Sequence, residues 1–289
     1  MVSGVTSRFA PSPTGRLHLG HAFSAIRACD LAGRRGGRFL LRIEDIDPGR
    51  VREEHVTGIL EDLAWLGLHW EEPVWRQSMR YPVYAGALQR LREAGLVYPC
   101  FCTRAEIAAS ATAPHGPGGA LYPGTCRGLD AEKRARRMAR EPHAWRLDVA
   151  SARRRVDPAA LRWHDATAGW VDADPAVQGD VVLARKDAPV SYHLAVTVDD
   201  AAQGVTDIVR GVDLFAATDI HRLLQALLGL PTPCYHHHPL LTDAAGRRLA
   251  KRDNAPTLAA LREGGADPQM LAAALRAGEV PVGFGLERP

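Results

Sequence analysis

The stretch RFAPSPTGRLHLGHAFSA, residues 8 to 25, decides the fold because it joins a short apolar strand to an amphipathic helix through a tight bend. The residues VTSRFAPS are typical of a strand that runs into a turn, and the residues after the bend have the spacing of one helical face. Two prolines, two glycines and two histidines lie within the stretch. Because glycine leaves room beside the backbone, a bend of this kind suits a ligand that sits against the main chain.

The residues that follow complete a βαβ unit. The segment LGHAFSAIRACDLAGRRGG places Leu19, Ala22, Phe23, Ile26 and Cys29 on one apolar stripe and ends in paired glycines. The next segment, RFLLRIEDI, is typical of a buried strand with a polar end. Strand, helix and strand in this order predict a parallel sheet. The amino terminus of the helix then lies at the bend, where its unpaired N–H groups attract phosphate.

Composition excludes several classes of protein. At 289 residues the chain has the length of about two domains, and its 46% hydrophobic content is enough for ordinary cores. No apolar run approaches the ~20 residues of a membrane span, and the amino terminus does not resemble a secretory signal. Five cysteines in a chain of this length do not make a disulfide scaffold. We therefore expect a cytoplasmic protein without membrane contact, and a monomer as the default state.

Charge is concentrated in one segment, although the net charge is only +3. Between Arg127 and Arg155 the segments RGLDAEKRARRMAREPHAWR and SARRRV are strongly basic. Such a concentration either contacts phosphates or forms a solvated helix face, and the local sequence does not decide between the two.

The remaining chain is organised around an interruption after Tyr98. Helical patterns precede that residue, whereas residues 103–130 are loop-rich and dense in glycine and proline. The parallel-sheet signature returns in VVLARKDAPVSYHLAVTVDDAAQGVTDIVRG and the helix TDIHRLLQALLG. We therefore predict an α/β fold with a doubly wound parallel sheet and an inserted α+β subdomain. The predicted segments are residues 1–98, the insertion 99–184, the second half 185–235 and a carboxyl-terminal region 236–289.

Two histidines on the first helical turn are candidates for phosphate chemistry. His18 and His21 can donate hydrogen bonds to phosphate oxygens as negative charge develops on them, and Gly15 and Gly20 permit close approach of a nucleotide. A metal pair or structural histidines are the alternatives, because His-x-x-His alone is weakly specific.

Three cysteines of the insertion are candidate metal ligands. Cys100, Cys102 and Cys126 offer three thiolates, which suit a tetrahedral structural Zn²⁺. By residue type alone, His115 is the fourth ligand, and three reduced cysteines without metal are the alternative. The run HHH at residues 236–238 lies beside a predicted strand end, which favours packing or nucleotide contact over metal binding.

The bend resembles a known family. HLGH resembles the HIGH motif of class I aminoacyl-tRNA synthetases, and RFAPSPTGRLHLGH with LRIEDID resembles the glutamyl-tRNA synthetase branch. RLAKR at 248–252 is similar to the KMSKS loop, with Arg248 and Ala250 as departures and Lys251 retained. The resemblance implies a Rossmann-type synthetase fold that uses ATP with Mg²⁺ as substrate. It implies catalytic roles for His18, His21 and Lys251, and ATP contacts from these residues together with Ser12, Gly20 and Asp213.

Three further segments are similar to the short glutamyl-Q tRNA(Asp) synthetases: the CxC…YxxxC insertion, YHLAVTVDDAAQGVTDIVRGVDL and HRLLQALLGLP. This resemblance implies activation of L-glutamate and its transfer to queuosine at the wobble position of tRNA(Asp), recognised through the anticodon stem-loop. It also implies Tyr122, from YPGTC, as the fourth ligand of one structural zinc ion. Too few residues follow Arg252 for an anticodon-binding domain, so we expect none.

The amino-acid pocket follows from the charges of glutamate. Two carboxylates and one ammonium group require arginine forks and a carboxylate. Arg8 and Glu44 stand at the ends of the first two strands, and Tyr192 and Arg210 lie in the second half; all four match family positions for glutamate binding. The resemblance adds the rest of one segment to this pocket: Phe9, Ala10, Pro11 and Ser12.

Two other functions stay open at this point. One is a truncated synthetase that charges the 3′ end of tRNA(Glu), against which the missing anticodon-binding domain speaks. The other is a non-catalytic RNA-binding paralogue, against which His18, His21 and Lys251 speak.

Overall fold

The structure is a computed structural model that describes residues 4–103, 105–107, 121–243, 256–279 and 284–286. The strands are β1 (Thr6–Phe9), β2 (Arg38–Ile43), β3 (Glu71–Arg76), β4 (Val97–Cys100), β5 (Ala144–Leu147), β6 (Arg162–Asp165), β7 (Gly169–Asp172), β8 (Val182–Ala184), β9 (Asp207–Gly211), β10 (Cys234–His238), β11 (Leu241–Asp243) and β12 (Phe284–Leu286). The helices are α1 (Leu19–Arg34), α2 (Glu53–Trp65), α3 (Tyr81–Glu93), α4 (Ala131–Met138), α5 (Val149–Arg154), α6 (Tyr192–Ala202), α7 (Ala217–Leu228), α8 (Leu258–Glu263) and α9 (Pro268–Ala277). None of these described helices combines the length and the apolar character that crossing a membrane requires.

Seven strands form the main sheet in the order β3-β2-β1-β9-β10-β6-β7. The predicted βαβ unit is confirmed, since β1 pairs in parallel with β2 and α1 connects them. The sheet is nevertheless mixed, which corrects the expectation of a wholly parallel sheet: β7 runs antiparallel to β6. The reason is the short link between these two strands, which allows a hairpin but not the long crossover that a parallel pair needs.

Helix α1 packs its predicted apolar stripe into the main core. Leu19, Ala22, Phe23 and Ile26 are buried there, and Cys29 is half-buried against the same cluster. Burial raises the pKa of the Cys29 thiol, which keeps it neutral. The predicted place of this cysteine on the apolar stripe is confirmed.

One stretch that the sequence assigns to the parallel sheet divides among three environments. Strand β8 joins β4 and β5 in a small antiparallel sheet, Tyr192–Ala202 forms helix α6, and only β9 enters the main sheet. Helix α6 is buried almost all around, including Asp199 and Asp200. Because it has no polar face, its sequence does not show the helical period, and an apolar run of this length reads equally well as strand.

The predicted insertion contributes to two sheets. Strands β6 and β7 lie at the edge of the main sheet, whereas β4, β5 and β8 form the small one, and β10 spans the expected boundary at residue 235. The division into four segments stays a prediction.

The basic segment of the insertion contains helix α4, which has no buried residue. Arg136 pairs with Glu132 and Arg137 with Glu141 along its surface. The helix is therefore solvent-exposed, which fits a solvated face and phosphate contact alike, and contact with RNA stays a prediction.

The carboxyl ends of β1, β2, β9 and β10 meet at one edge of the main sheet, where open parallel sheets bind their ligands. Arg8 lies near the end of β1, Glu44 directly follows β2, Arg210 is the penultimate residue of β9 and His238 ends β10. This convergence positions the candidate site.

Candidate active site

A cavity of about 620 Å³ opens at this edge of the sheet, beside the amino terminus of α1. It brings together every predicted glutamate- and ATP-binding residue that the structure describes: Arg8, Phe9, Ala10, Pro11, Ser12, His18, Gly20, His21, Glu44, Tyr192, Arg210 and Asp213. Lys251 and the rest of the segment 248–252 lie outside the described residues. Residues far apart in the chain therefore line one cavity.

The two histidines of the bend cap helix α1. His18 is the N-cap residue, and its Nδ1 accepts the Gly20 N–H at 3.1 Å. The Nδ1 of His21 accepts the His18 N–H, also at 3.1 Å. Since Nδ1 accepts in both rings, the hydrogen-bond pattern assigns the proton of each neutral imidazole to Nε2. Both side chains are thereby oriented as donors at a helix amino terminus.

Two glycines of the cavity allow close packing that a side chain would prevent. A Cβ atom at Gly20 would lie 3.0 Å from the Cε1 atom of the His18 ring. A Cβ atom at Gly211 would lie 2.5 Å from the Asp213 carboxylate and 2.7 Å from Leu240. Glycine at these positions therefore lets His18, Asp213 and Leu240 pack directly against the backbone that lines the cavity.

Arg8 is held by a buried carboxylate that the sequence analysis missed. The Oδ1 atom of Asp200 accepts from Arg8 Nε at 2.9 Å and from Arg42 Nη2 at 2.8 Å, and its Oδ2 atom accepts from Arg8 Nη2 at 3.2 Å. Burial acts to raise the pKa of Asp200, but the two guanidinium groups outweigh it and hold that pKa below its usual value. The charge of Arg8 is thus already partly balanced inside the protein.

Glu44 is buried at the cavity wall, 3.3 Å from Arg42. Burial raises the pKa of its carboxyl group, although Arg42 and Arg8 act in the opposite direction. A cation placed against Glu44 would stabilise the ionised form, so the carboxylate suits the ammonium group of an amino acid.

Arg210 differs from the other buried arginines because all of its hydrogen-bond partners are neutral. Its guanidinium donates to Thr218 Oγ1 at 2.6 Å and to the Nε2 atom of His237 at 3.1 Å, lies 3.2 Å from the Nδ1 atom of His221 and is 3.5 Å from the Tyr192 hydroxyl. None of the ion pairs among the described residues includes it. A buried cation without a carboxylate, on the wall of a cavity, is a site for an anionic ligand.

Three neutral imidazoles surround Arg210. Burial and the nearby Arg210 lower the pKa values of His193 and His237 to about 4, and they lower that of His221 as well. His193 and His221 lie in contact, with 3.2 Å between Nδ1 and Nε2. The positive charge in this part of the cavity therefore belongs to the guanidinium alone among these four side chains.

These histidines make the stability of the protein sensitive to acid. In the unfolded chain each takes up a proton near pH 6.5, whereas in the folded protein His193 and His237 do so only near pH 4. Acidification therefore favours the unfolded chain, and from pH 7 to pH 5 we expect the free energy of unfolding to fall by about 2 kcal/mol for each of the two. Urea unfolding of the protein and of His193→Gln at both pH values measures this effect. The His193→Gln variant should lose less stability between pH 7 and pH 5 than the wild type does. His69→Gln is the control, because His69 is exposed and lies outside the cavity. Equal losses in wild type and His193→Gln would contradict the assignment.

The run at residues 236–238 divides among three roles. His236 pairs with Asp207, and His237 bonds to the buried Asp165 at 2.8 Å. His238 lines the cavity, and because its Nδ1 donates to the Pro239 carbonyl, its buried Nε2 is an acceptor. His237 thus has the packing role, and nucleotide contact by His238 stays a prediction.

A second cluster lies in the predicted insertion. The Sγ atoms of Cys100, Cys102 and Cys126 are within 4.8 Å of one another, in a group that could hold a metal ion. Cys102 Sγ is 3.6 Å from Cys126 Sγ and 3.8 Å from the Tyr122 hydroxyl, which also accepts the Cys126 N–H. His115, the alternative ligand, lies outside the described residues.

A set of buried polar residues behind the cavity was not predicted from the sequence: Arg42, Asp165, His193, Asp199, Asp200, Thr218 and His221. A signal for some of them was present. Arg42 interrupts the apolar strand RFLLRI, and two adjacent aspartates interrupt the apolar run of α6. Charges at core positions are retained only when they are paired, so they point to a buried network.

Comparison with known proteins places these observations in a family. The family model for the catalytic domain of class I tRNA synthetases (E and Q) matches residues 4–282. The glutamyl-Q tRNA(Asp) synthetase of Rhodobacter capsulatus is 50% identical, over 91% of this chain and 96% of that protein. The glutamyl-Q tRNA(Asp) synthetase of Nocardia farcinica is 49% identical, over 94% of this chain and 84% of that protein.

Solved structures show the same fold in longer chains. A glutamate tRNA ligase from Elizabethkingia meningosepticum, in complex with its amino acid, superposes with a TM-score of 0.76 at 26% identity. The glutamate-tRNA synthetase of Elizabethkingia anophelis gives a TM-score of 0.78 at 27% identity. The match covers 94% of this chain in both cases, but only 60% and 61% of those proteins.

Proposed function

Because the chain belongs to the class I tRNA synthetases for glutamate and glutamine, and within them to the glutamyl-Q tRNA(Asp) synthetase family, we propose that it activates L-glutamate with ATP and transfers the glutamyl group to queuosine at the wobble position of tRNA(Asp). The observation that carries the proposal is Arg210, a buried guanidinium on the cavity wall whose partners are all neutral. Its ligand must supply an anion, and glutamate brings two.

We assign the side-chain carboxylate of glutamate to Arg210. The α-carboxylate is the nucleophile in adenylate formation, and a guanidinium clamp would withdraw electron density from it. The side-chain carboxylate does not react, so it suits a fixed, charge-assisted pair. Arg8 donates to glutamate the N–H groups that are not already bonded to Asp200. Glu44 binds the ammonium group.

We place the nucleotide between the amino terminus of α1 and the part of the cavity lined by Gly211 and Asp213. His18 and His21 present Nε2 donors, which stabilise charge on phosphate oxygens as it develops. His238 offers a buried acceptor that suits an amino or hydroxyl group of a nucleoside. Mg²⁺ carried by ATP neutralises part of the phosphate charge, without a dedicated protein cage. Lys251 has the role that the similarity of residues 248–252 to the KMSKS loop implies: it is a mobile positive charge beside the triphosphate.

Positioning and charge stabilisation then suffice for the reaction. An oxygen of the α-carboxylate attacks the α-phosphorus in line, the bond to the β-phosphate bridge breaks, and pyrophosphate leaves. A hydroxyl group on the RNA next attacks the acyl carbon of glutamyl-adenylate, and AMP leaves with the mixed-anhydride oxygen. No protein nucleophile takes part.

The function is tested with three RNA substrates: queuosine-containing tRNA(Asp), queuosine-free tRNA(Asp) and tRNA(Glu). We expect glutamylation of the first alone. Periodate cleaves vicinal diols that carry no ester, so treatment after the reaction locates the glutamyl group. Glutamate found only on the terminal adenosine would overturn the proposal.

We further propose that Cys100, Cys102, Cys126 and Tyr122 hold one structural zinc ion. A tetrahedral zinc with bonds of about 2.3 Å separates two sulfur ligands by about 3.8 Å, close to the 3.6 Å between Cys102 and Cys126. Burial raises the pKa of Cys102 to about 11 and also raises that of Tyr122, so a bound cation is what would keep these groups ionised.

Removing one of these ligands is expected to remove the ion. Cys126→Ser should lower the zinc content by one equivalent per chain, because serine does not replace a thiolate in a four-ligand site. Elemental analysis of the untagged protein measures the content, and Cys29→Ser, a half-buried cysteine of α1, is the matched control. Unchanged zinc in Cys126→Ser would remove that residue from the ligand set.

A further inference from the structure

A second group of metal-ligating side chains lies at the other end of the main sheet. Asp207 is the first residue of β9 and Cys234 the first residue of β10, and the two are register partners. His236 follows two residues after Cys234, so it projects from the same face of the sheet. The catalytic cavity is built at the carboxyl ends of these strands, whereas this group lies at their amino ends.

The ligand atoms of these three residues converge. One ligand atom from each of Asp207, Cys234 and His236 lies within 4.8 Å of the other two. The Nε2 atom of His236 is 2.7 Å from the Oδ1 atom of Asp207. A thiol, an imidazole and a carboxylate are together the donor set of zinc, which accepts sulfur, nitrogen and oxygen ligands in one tetrahedron.

A histidine of the neighbouring strand contacts the sulfur atom of this group. Tyr235 of β10 is the register partner of Asp165 in β6, so His164 stands beside Cys234. The Nδ1 atom of His164 is 3.4 Å from the Cys234 Sγ atom. The group of ligand atoms that lie within 4.8 Å of one another consists of Asp207, Cys234 and His236.

A hydrogen bond to one oxygen of the Asp207 carboxylate orients the other oxygen, as in metal sites. The Thr206 hydroxyl donates to Asp207 Oδ2 at 2.8 Å, which leaves Oδ1 directed towards the group. Metal-binding carboxylates are themselves hydrogen-bonded in this way. The side chains of His236 and Asp207 remain 20% and 11% exposed, so an ion has a path from solvent.

The ion pair between His236 and Asp207 does not by itself account for Cys234, which is in register with Asp207 and hydrogen-bonds to the His236 side chain. We propose that Asp207, Cys234 and His236 form a second zinc site that joins β9 and β10. The site stands independently of the synthetase activity and of the cluster at Cys100.

Metal content of the untagged full-length protein, expressed with added zinc, tests the site. We expect two equivalents of zinc per chain in the wild type, one in Cys234→Ser, one in Cys126→Ser, none in the double variant and two in Cys29→Ser. A wild type with a single equivalent that Cys126→Ser removes, or a Cys234→Ser protein that keeps two, would overturn the proposal.

Two further measurements separate loss of the ion from loss of the fold. In Cys126→Ser, Co²⁺ added to the zinc-free protein should give a tetrahedral spectrum with charge transfer from one thiolate, and His236→Asn should abolish it. Glutamate-dependent ATP–pyrophosphate exchange should persist in Cys234→Ser, because Cys234 lies at the amino end of β10 and the cavity lies at the carboxyl ends of the strands. Persistence of the cobalt spectrum in His236→Asn would contradict the assigned ligand set.

Discussion

Replacement of Arg210 with methionine is expected to lower kcat/KM for glutamate-dependent ATP–pyrophosphate exchange by about 10³-fold. Truncation of one partner in a buried, hydrogen-bonded charge pair costs about 2–5 kcal/mol, and a factor of 10³ corresponds to about 4 kcal/mol. Methionine keeps most of the side-chain volume and removes the charge. The side-chain carboxylate of glutamate would then lie among neutral imidazoles and a hydroxyl group, without the cation that offsets its desolvation.

Discrimination between glutamate and glutamine isolates this role from a general defect. If Arg210 holds the side-chain carboxylate, Arg210→Met should lose most of its preference for glutamate over glutamine, because the charge match is gone. Arg276→Met is the control, since Arg276 pairs with Asp30 on the surface of α1 and lies outside the cavity wall. Activity of Arg210→Met within tenfold of the wild type, with the preference intact, would contradict the assignment.

The second large effect is expected on stability. Asp200→Asn should lower the free energy of unfolding by about 3–5 kcal/mol, the usual cost of breaking a buried ion pair on one side only. Asp200 bridges Arg8 and Arg42, and both guanidinium groups are buried. Asparagine has nearly the same shape, but it carries no charge and presents an N–H₂ donor towards two donors. Two buried cations would lose their common counter-ion.

Urea unfolding at pH 7 measures this loss. Glu71→Gln is the matched control, because it removes one carboxylate from an exposed pair with Arg38, and it should leave the unfolding midpoint unchanged. The lost stability is expected together with weaker glutamate binding, since Arg8 lines the cavity. A midpoint for Asp200→Asn that coincides with the wild type would show that Asp200 is not the counter-ion of the two arginines.

The difference between α1 and α6 shows what sequence patterns can reveal. Helix α1 has one apolar face against the core, so the spacing of its apolar residues, its start at the bend and its end at the glycines can all be predicted from the sequence. Helix α6 is buried on nearly every side, with Asp199 and Asp200 bonded to arginines from other elements. No polar face remains to reveal its period. Its helical state depends on partners that approach from α3 and β2.

The candidate site divides in the same way. Some of the wall residues have a local signal: the bend at His18 and His21, the polar strand end at Glu44, and the charges that glutamate needs. The others were predicted from the family resemblance. The network behind the wall was not. Asp200 reaches Arg8 from helix α6, His237 reaches Arg210 from the neighbouring strand, and nothing in the spacing along the chain encodes those pairs.

The sequence by itself determined the βαβ unit, the class of chemistry and the charged and polar residues predicted for the cavity, because these depend on short-range periodicity, on the residue types at a bend and on motifs that resemble a family. Only the tertiary structure decided that the sheet is mixed, that Arg8 is balanced by Asp200 while Arg210 meets only neutral partners, and that Asp207, Cys234 and His236 converge. The reason is physical: hydrogen bonds and ion pairs between residues far apart in the chain depend on which elements pack side by side, and short-range periodicity does not encode that arrangement.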